Sequence, residues 1–231
     1  MGIDDIRCGR DASHITSIVE IFAYNVVMQF KTNEILRDAE SLPSDEWSVN
    51  SAEREFADAD VASTYFSDLR RRLIDIKQWN LNSDGAEYKL YNKDGTVASS
   101  GRIRPGLFLR IDLPGSGKSD WVVIENLAIS PNEIVITVKP TYDPTEQPPD
   151  TGKISHFLSA SARNNFCALR DGQFVKVYVI GLNETSNTGH TSGIIETVRN
   201  AAVANLGYYL GIQKAVWTSF CNRFLSEDAS V

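Results

Sequence analysis

Residues 107–139 read LFLRIDLPGSGKSDWVVIENLAISPNEIVITVK. The fold turns on whether Asp112–Ser119 inside this stretch is a phosphate-binding loop or the loop of a hairpin. Asp112-Leu113-Pro114-Gly115-Ser116-Gly117-Lys118-Ser119 matches G-x-x-x-x-G-K-[ST] except at the first position, where aspartate replaces glycine. A phosphate-binding loop must open a helix, whose N-terminal amides and dipole hold the anion. Here Asp120-Trp121-Val122-Val123-Ile124-Glu125 follows, which reads as a strand, and Asp112 would set a negative charge against the phosphates. The loop is therefore expected to join two antiparallel strands, 107–113 and 121–128, with a third strand at 133–139.

Working outward, Glu87–Tyr91 and Thr96 onward flank an Asn92-Lys93-Asp94-Gly95 turn, a hairpin signal. Strands at 165–170 and 173–180 flank Arg170-Asp171-Gly172. Residues 140–151 hold four prolines and read as a loop. On the N-terminal side, apolar residues at Ile15, Ile18, Phe22, Val26 and Phe30 predict an amphipathic helix over 12–39. Residues 41–60 lose that period and read as an acidic, solvated connection anchored by Trp47 and Phe56. A second helix is expected from about Ala59 to Trp79. From Thr191 a helical period returns, broken at Gly211, which predicts a C-terminal αα-hairpin. The expected fold is α+β, with N-terminal helices, about seven strands in a mainly antiparallel sheet or small barrel, and the terminal hairpin. The expected division is residues 1–58, helix and connection, and 59–231, one α+β domain.

Composition narrows the function classes. The 231 residues carry 23 Lys+Arg and 30 Asp+Glu, a formal net charge of -7. That balance disfavours nucleic acid and anionic membrane as partners. The acid sits in residues 1–80 (9 basic, 15 acidic), whereas residues 151–231 are slightly basic (7 and 5), so head-to-tail association between copies is an expectation. The N-terminal stretch has acids where an export signal needs a basic and then an apolar segment, and the longest apolar tract, 201–212, is too short to span a bilayer. A cytoplasmic location is expected, with Cys8, Cys167 and Cys221 as ordinary buried thiols.

The remaining motifs carry little chemistry. Asn80-x-Asn82-x-Asp84-Gly85 copies half a calcium loop but has Tyr91 where the bidentate glutamate belongs. Arg70-Arg71-Arg72 spreads around a helix and finds Asp68 and Asp75 at pairing distance, so a solvated, salt-paired face is expected. His14, His156 and His190 lack partners at metal-ligand spacing. No catalytic residue, metal or cofactor is expected.

Three segments carry a resemblance: Phe66-x-x-Leu69-Arg70-x-Arg72-Leu73 with Trp79; Arg110-Ile111-Asp112-x-Pro114-Gly115-x-Gly117 leading to Asp120-Trp121-Val122-x-Ile124-Glu125; and Val198-Arg199-Asn200-Ala201. Together they resemble a family of uncharacterised bacterial proteins over residues 66 to about 225. The resemblance implies no activity or site residue; the similar proteins carry a longer glycine-rich loop without the Lys-Ser end, which implies that the phosphate-loop likeness of this chain is accidental. The leading expectation is a non-enzymatic protein-interaction module that serves in a larger assembly or self-associates. Its contact loop would be Gly115, Ser116, Gly117, Lys118, Ser119 and Trp121, and its partner surface Tyr208, Tyr209 and Trp217. The alternative is a barrel that binds a small apolar molecule or lipid. Third is nucleotide binding through Gly115, Gly117, Lys118 and Ser119.

Overall fold

The computed structural model describes residues 30–83, 85–114, 119–187 and 211–226. The chain divides into two compact units, Met1–Phe30 and Lys31–Val231, and the elements below belong to the second. Cys8, His14, His190, Tyr208, Tyr209, residues 115–118, most of the expected 12–39 helix and the first arm of the expected αα-hairpin lie outside the described residues.

In chain order the elements are α1 (Lys31–Glu40), β1 (Trp47–Glu55), α2 (Ala59–Leu73), α3 (Ile76–Leu81), β2 (Glu87–Tyr91), β3 (Phe108–Asp112), β4 (Ser119–Ile129), β5 (Glu133–Pro140), β6 (Arg163–Asp171) and β7 (Phe174–Leu182). A last helix, α4, spans 211–224. The strands form one antiparallel sheet in the order β1-β7-β6-β5-β4-β3-β2. β1 and β2 are its edges, so the sheet is open and not a closed barrel. The α+β class and the antiparallel sheet agree with the sequence.

Strand alternation sorts side chains into two faces. The inner face carries Leu109 and Ile111 from β3, Val122 and Ile124 from β4, Ile136 and Val138 from β5, Phe166 from β6 and Val177 and Val179 from β7, all in one buried cluster with α2, α3 and α4. The outer face carries Val135, Cys167 and Ile180, which pack under Ile35 and Ala39 of α1. The first turn of α1 is held by Glu133 of β5, whose carboxylate accepts from the Lys31 and Thr32 backbone N–H groups at 2.9 and 2.7 Å. It supplies from a strand the anion that an N-cap residue would supply locally.

Several expectations are corrected. The stretch read as an acidic connection contains β1, an edge strand whose Trp47 faces Leu182 and Glu55 faces Phe174. Its acids sit where an edge strand tolerates charge, with Glu53 paired to Lys176 at 2.5 Å. The segment after Thr96 is not a strand. The turn forms, with Gly95 at φ 82°, and a short hairpin follows, in which Asn92 N–H donates to the Thr96 carbonyl and Ala98 N–H to that of Leu90 around a single Tyr91–Val97 bridge, while the full strand partner of β2 is β3. The strand count holds because β1 replaces the missing arm.

The 59–79 helix is interrupted. Asp58 caps α2, accepting from the Asp60 and Val61 N–H groups at 3.0 and 2.8 Å. At Asp75 the backbone turns extended (φ -111°, ψ 111°) to bridge Arg102, and the Asp75 carboxylate then caps α3. The arginine triplet also divides its roles: Arg71 pairs with Asp68, Arg70 donates to the Ser130 carbonyl at 2.7 Å, and Arg72 is 7% exposed. Arg72 is thus buried, not solvated, and its guanidinium donates twice to the Phe224 carbonyl at 3.2 Å. Tyr65 donates to the same carbonyl and Arg54 to that of Leu225. These donors hold the carbonyl end of α4, where cations are favoured.

Phe166, at the centre of the inner face, touches Trp79, Trp217 and Phe220 with ring centroids 4.5, 5.2 and 5.5 Å apart. Phe166→Ala is expected to cost about 3–5 kcal/mol by urea denaturation. Leu81→Ala, on a side chain 70% exposed, should stay within about 0.5 kcal/mol of wild type.

Candidate functional site

β3 and β4 form a hairpin with Ile111 opposite Asp120 and Asp112 opposite Ser119. The glycine-rich loop therefore joins two antiparallel strands, and Ser119 opens a strand, not a helix. Asp120 shares the phase of Val122 and Ile124, so alternation turns its carboxyl onto the mainly apolar inner face, where it is 8% exposed.

Over this strand end lies the 153–157 segment. It is held by backbone bonds from Trp121 N–H to the Ser155 carbonyl and from Ser155 N–H to that of Thr141, both 2.8 Å. Asn187 clamps it by donating to the carbonyls of Ile154 and His156 at 3.2 and 3.1 Å. The segment points Phe157 N–H at Asp120 Oδ1, 3.2 Å away. His156 Nδ1 accepts from Leu158 N–H at 2.9 Å, so a neutral imidazole carries its proton on Nε2.

Asp120, His156 and Phe157 separate two spaces. Outward is an open cleft of about 550 Å³, with Ser119, Trp121, Lys153 and Ser155 on its walls. Inward, between sheet and α4, is a crevice walled by Ile111, Val122, Val138, Phe166 and Trp217, with Gln213 as a further polar group. The crevice has a volume of about 10 Å³, room for one water molecule. The inner face is thus packed, and the usable space is the cleft.

Burial pushes the Asp120 carboxyl up to about 7; the Phe157 N–H works against it and the Asp112 charge adds to it. Asp120 can therefore exist as acid or carboxylate near neutral pH, the property that suits a carboxyl to hydrogen bonding in either sense or to proton transfer. His156 is only half-buried by area but lies deep among protein atoms, which pushes its imidazole down to about 3.

Of the contact loop expected from sequence, residues 115–118 lie outside the described residues. Ser119 and Trp121 line the cleft, although Trp121 is otherwise buried on the outer face against Tyr91 and Phe108. Trp217 is 3% exposed and faces the sheet, so it forms part of the crevice and not of an exposed partner surface. Asn80 clasps β2 instead of a cation: its side chain donates to the Tyr88 carbonyl and accepts from Tyr88 N–H at 3.0 and 2.7 Å. No group of three or more His, Cys, Asp or Glu side chains suited to a metal occurs among the described residues. Cys167 and Cys221 are buried free thiols, each pushed up to about 12 chiefly by burial, which leaves them inert as nucleophiles. Sequence reasoning missed Asp120, although its phase within the strand was readable. It passed over His156, whose importance depends on a fold-back from a distant loop.

No family model and no curated protein matches the chain. Solved structures show distant likenesses. One is a hypothetical protein from Helicobacter pylori, 9% identical, with 78% of this chain and 93% of that chain covered and a TM-score of 0.43. Another is the di-domain ARO/CYC StfQ from the steffimycin biosynthetic pathway, at 12%, 96%, 62% and 0.42, so this chain spans under two thirds of it. A third is a START superfamily protein from Mycobacterium smegmatis, at 13%, 74%, 97% and 0.29. At such geometric distance these likenesses carry no functional argument.

The two buried titratable groups oppose each other in pH. Asp120, with its pKa raised, favours the fold at acid pH, and this contribution is lost as pH rises from the ordinary carboxylate range to about 7. His156, with its pKa lowered, favours the fold at neutral pH, and this is lost as pH falls from about 6.5 toward 3. Between pH 4 and 6.5 the slopes offset in wild type. The stability of Asp120→Asn minus that of wild type should therefore rise with pH across this window, and that of His156→Gln minus wild type should fall. Each slope has an upper limit of about 1.4 kcal/mol per pH unit, measured by urea denaturation at stepped pH.

Proposed function

We propose that the protein binds a small molecule with a hydrogen-bonding head in the cleft over Asp120 and His156, its apolar part turned toward Phe157 and the crevice. The observation that carries this reading is Asp120 itself. A carboxyl on an apolar sheet face, with one backbone N–H as its partner, contributes nothing to packing and carries a desolvation cost. It stands at the floor of a cleft whose volume, about 550 Å³, falls in the range of small-molecule sites. Its walls mix Ser119, Asp143, Lys153 and Ser155 with the apolar surface of Trp121, Ile154 and Phe157, so it offers hydrogen-bonding groups beside apolar surface. The ligand's head would meet a donor at His156 Nε2 and a donor or acceptor at Asp120, according to pH.

The protein-interaction reading draws less support from the described surface. Its exposed large apolar side chains are Val61, Leu81, Val97 and Ile129, single residues of four different segments. No helix of the described residues is long and apolar enough to cross a membrane; a cytoplasmic location is part of the proposal.

A library of small phenols, amides and carboxylic acids, screened by amide chemical shifts, tests the reading. Saturable shifts should concentrate at residues 119–121 and 153–157, and Asp120→Asn should weaken the best binder roughly tenfold, the worth of one hydrogen bond to a charged group. Absence of saturable shifts there, or unchanged affinity in the variant, would overturn it.

A further inference from the structure

A second polar pocket opens at the β1 edge, and the cleft reading does not use it. A groove of about 430 Å³ lies between the start of β1 and the first turns of α4, lined in part by Asp45, Trp47, Ser48, Glu184, Lys214 and Trp217. Glu184 is 6% exposed. Its carboxylate lies against Gly181, where even a methyl group would overlap it. The Ser48 hydroxyl lies beside the carboxyl, but Oε1 is buried without a hydrogen-bond partner, and so is Trp217 Nε1. The groove is thus walled by two residues that each carry an orphaned buried polar atom, an oxygen on a carboxyl and an N–H on an indole. Burial pushes the Glu184 carboxyl up, and a cation beside it would favour its charged form.

Orphaned buried polar atoms are costly, most of all on a carboxylate, and call for a partner. An ammonium group answers the carboxylate with a charge-assisted hydrogen bond and finds indole surface at Trp47 and Trp217. Asp45 adds negative charge at the rim; Lys214, the one cation on the wall, is exposed and makes no ion pair with Glu184 among the described residues. The indole N–H needs an oxygen acceptor in the same molecule. We infer that this groove binds a small primary amine bearing an oxygen acceptor, held by Glu184 and by the Trp217 N–H, as a site separate from the Asp120 cleft.

Ethanolamine is the test probe, with ethylene glycol and propionate as controls for a missing cation and for the opposite charge. Ethanolamine should bind saturably by calorimetry and move the Trp217 indole N–H proton resonance, with neither control doing so. Glu184→Gln should weaken it at least tenfold, while Asp120→Asn leaves it unchanged, which separates this site from the cleft. If Glu184→Gln fails to fold, the indole resonance under the three probes decides alone. Equal response to ethylene glycol, which would mean that water satisfies both atoms, or undiminished binding in folded Glu184→Gln, would overturn the inference.

Discussion

The ring of Phe166 is the contact around which the inner face is organised. A seven-stranded open sheet leaves one whole apolar face to be covered, and no single helix of ordinary width can cover it. Here α2 and α3 cover one part and α4 another, and both meet at Phe166: Trp79 closes on it from α3, Trp217 and Phe220 from α4. Aromatic rings do this well because tilted and edge-on contacts bury large area while fixing direction. The end of α4 is then tied to α2 and β1 through Arg72, Tyr65 and Arg54 on its last carbonyls.

That arrangement also decides where polar chemistry can survive. The core around Phe166 keeps a few neutral polar groups, among them the Tyr88 hydroxyl and the Trp79 indole N–H, whereas two carboxyls of the inner side lie at one end of the sheet, where β1 and β4 begin and β5 and β7 finish. Asp120 and Glu184 both lie there, with Trp217 lining the spaces beside each. The same helix that seals the core with Val216 and Phe220 thus forms, with Gln213 and Trp217, a wall of both the inner crevice and the groove at the β1 edge.

Much of the fold was legible along the chain. Alternation located β3 to β7 because each is half-buried on a face with a definite period, and the residues after Ser119 showed that the glycine-rich loop serves a hairpin. Helix α2 was legible from its apolar stripe. β1 was not, because Trp47–Glu55 is an edge strand: one side of its backbone pairs with β7 and its side chains include Glu53, Arg54 and Glu55, so its composition mimics a solvated linker. Nor was the break at Asp75, where the chain pairs with the distant residues 101–103.

What the sequence by itself determined is the period of each segment, and with it the sheet, the two-faced strands and the position of Asp120 on the apolar side. Tertiary structure decided which strand lies at each edge, which arginine is buried and which polar groups meet. His156 approaches Asp120 across 36 residues of sequence, and Glu184 reaches the same groove as Trp217 from the far side of the sheet's last turn. Local periodicity records whether a residue faces inward, because that is a property of one strand or helix. Which other residue it meets there depends on packing among several elements, and no single segment encodes it.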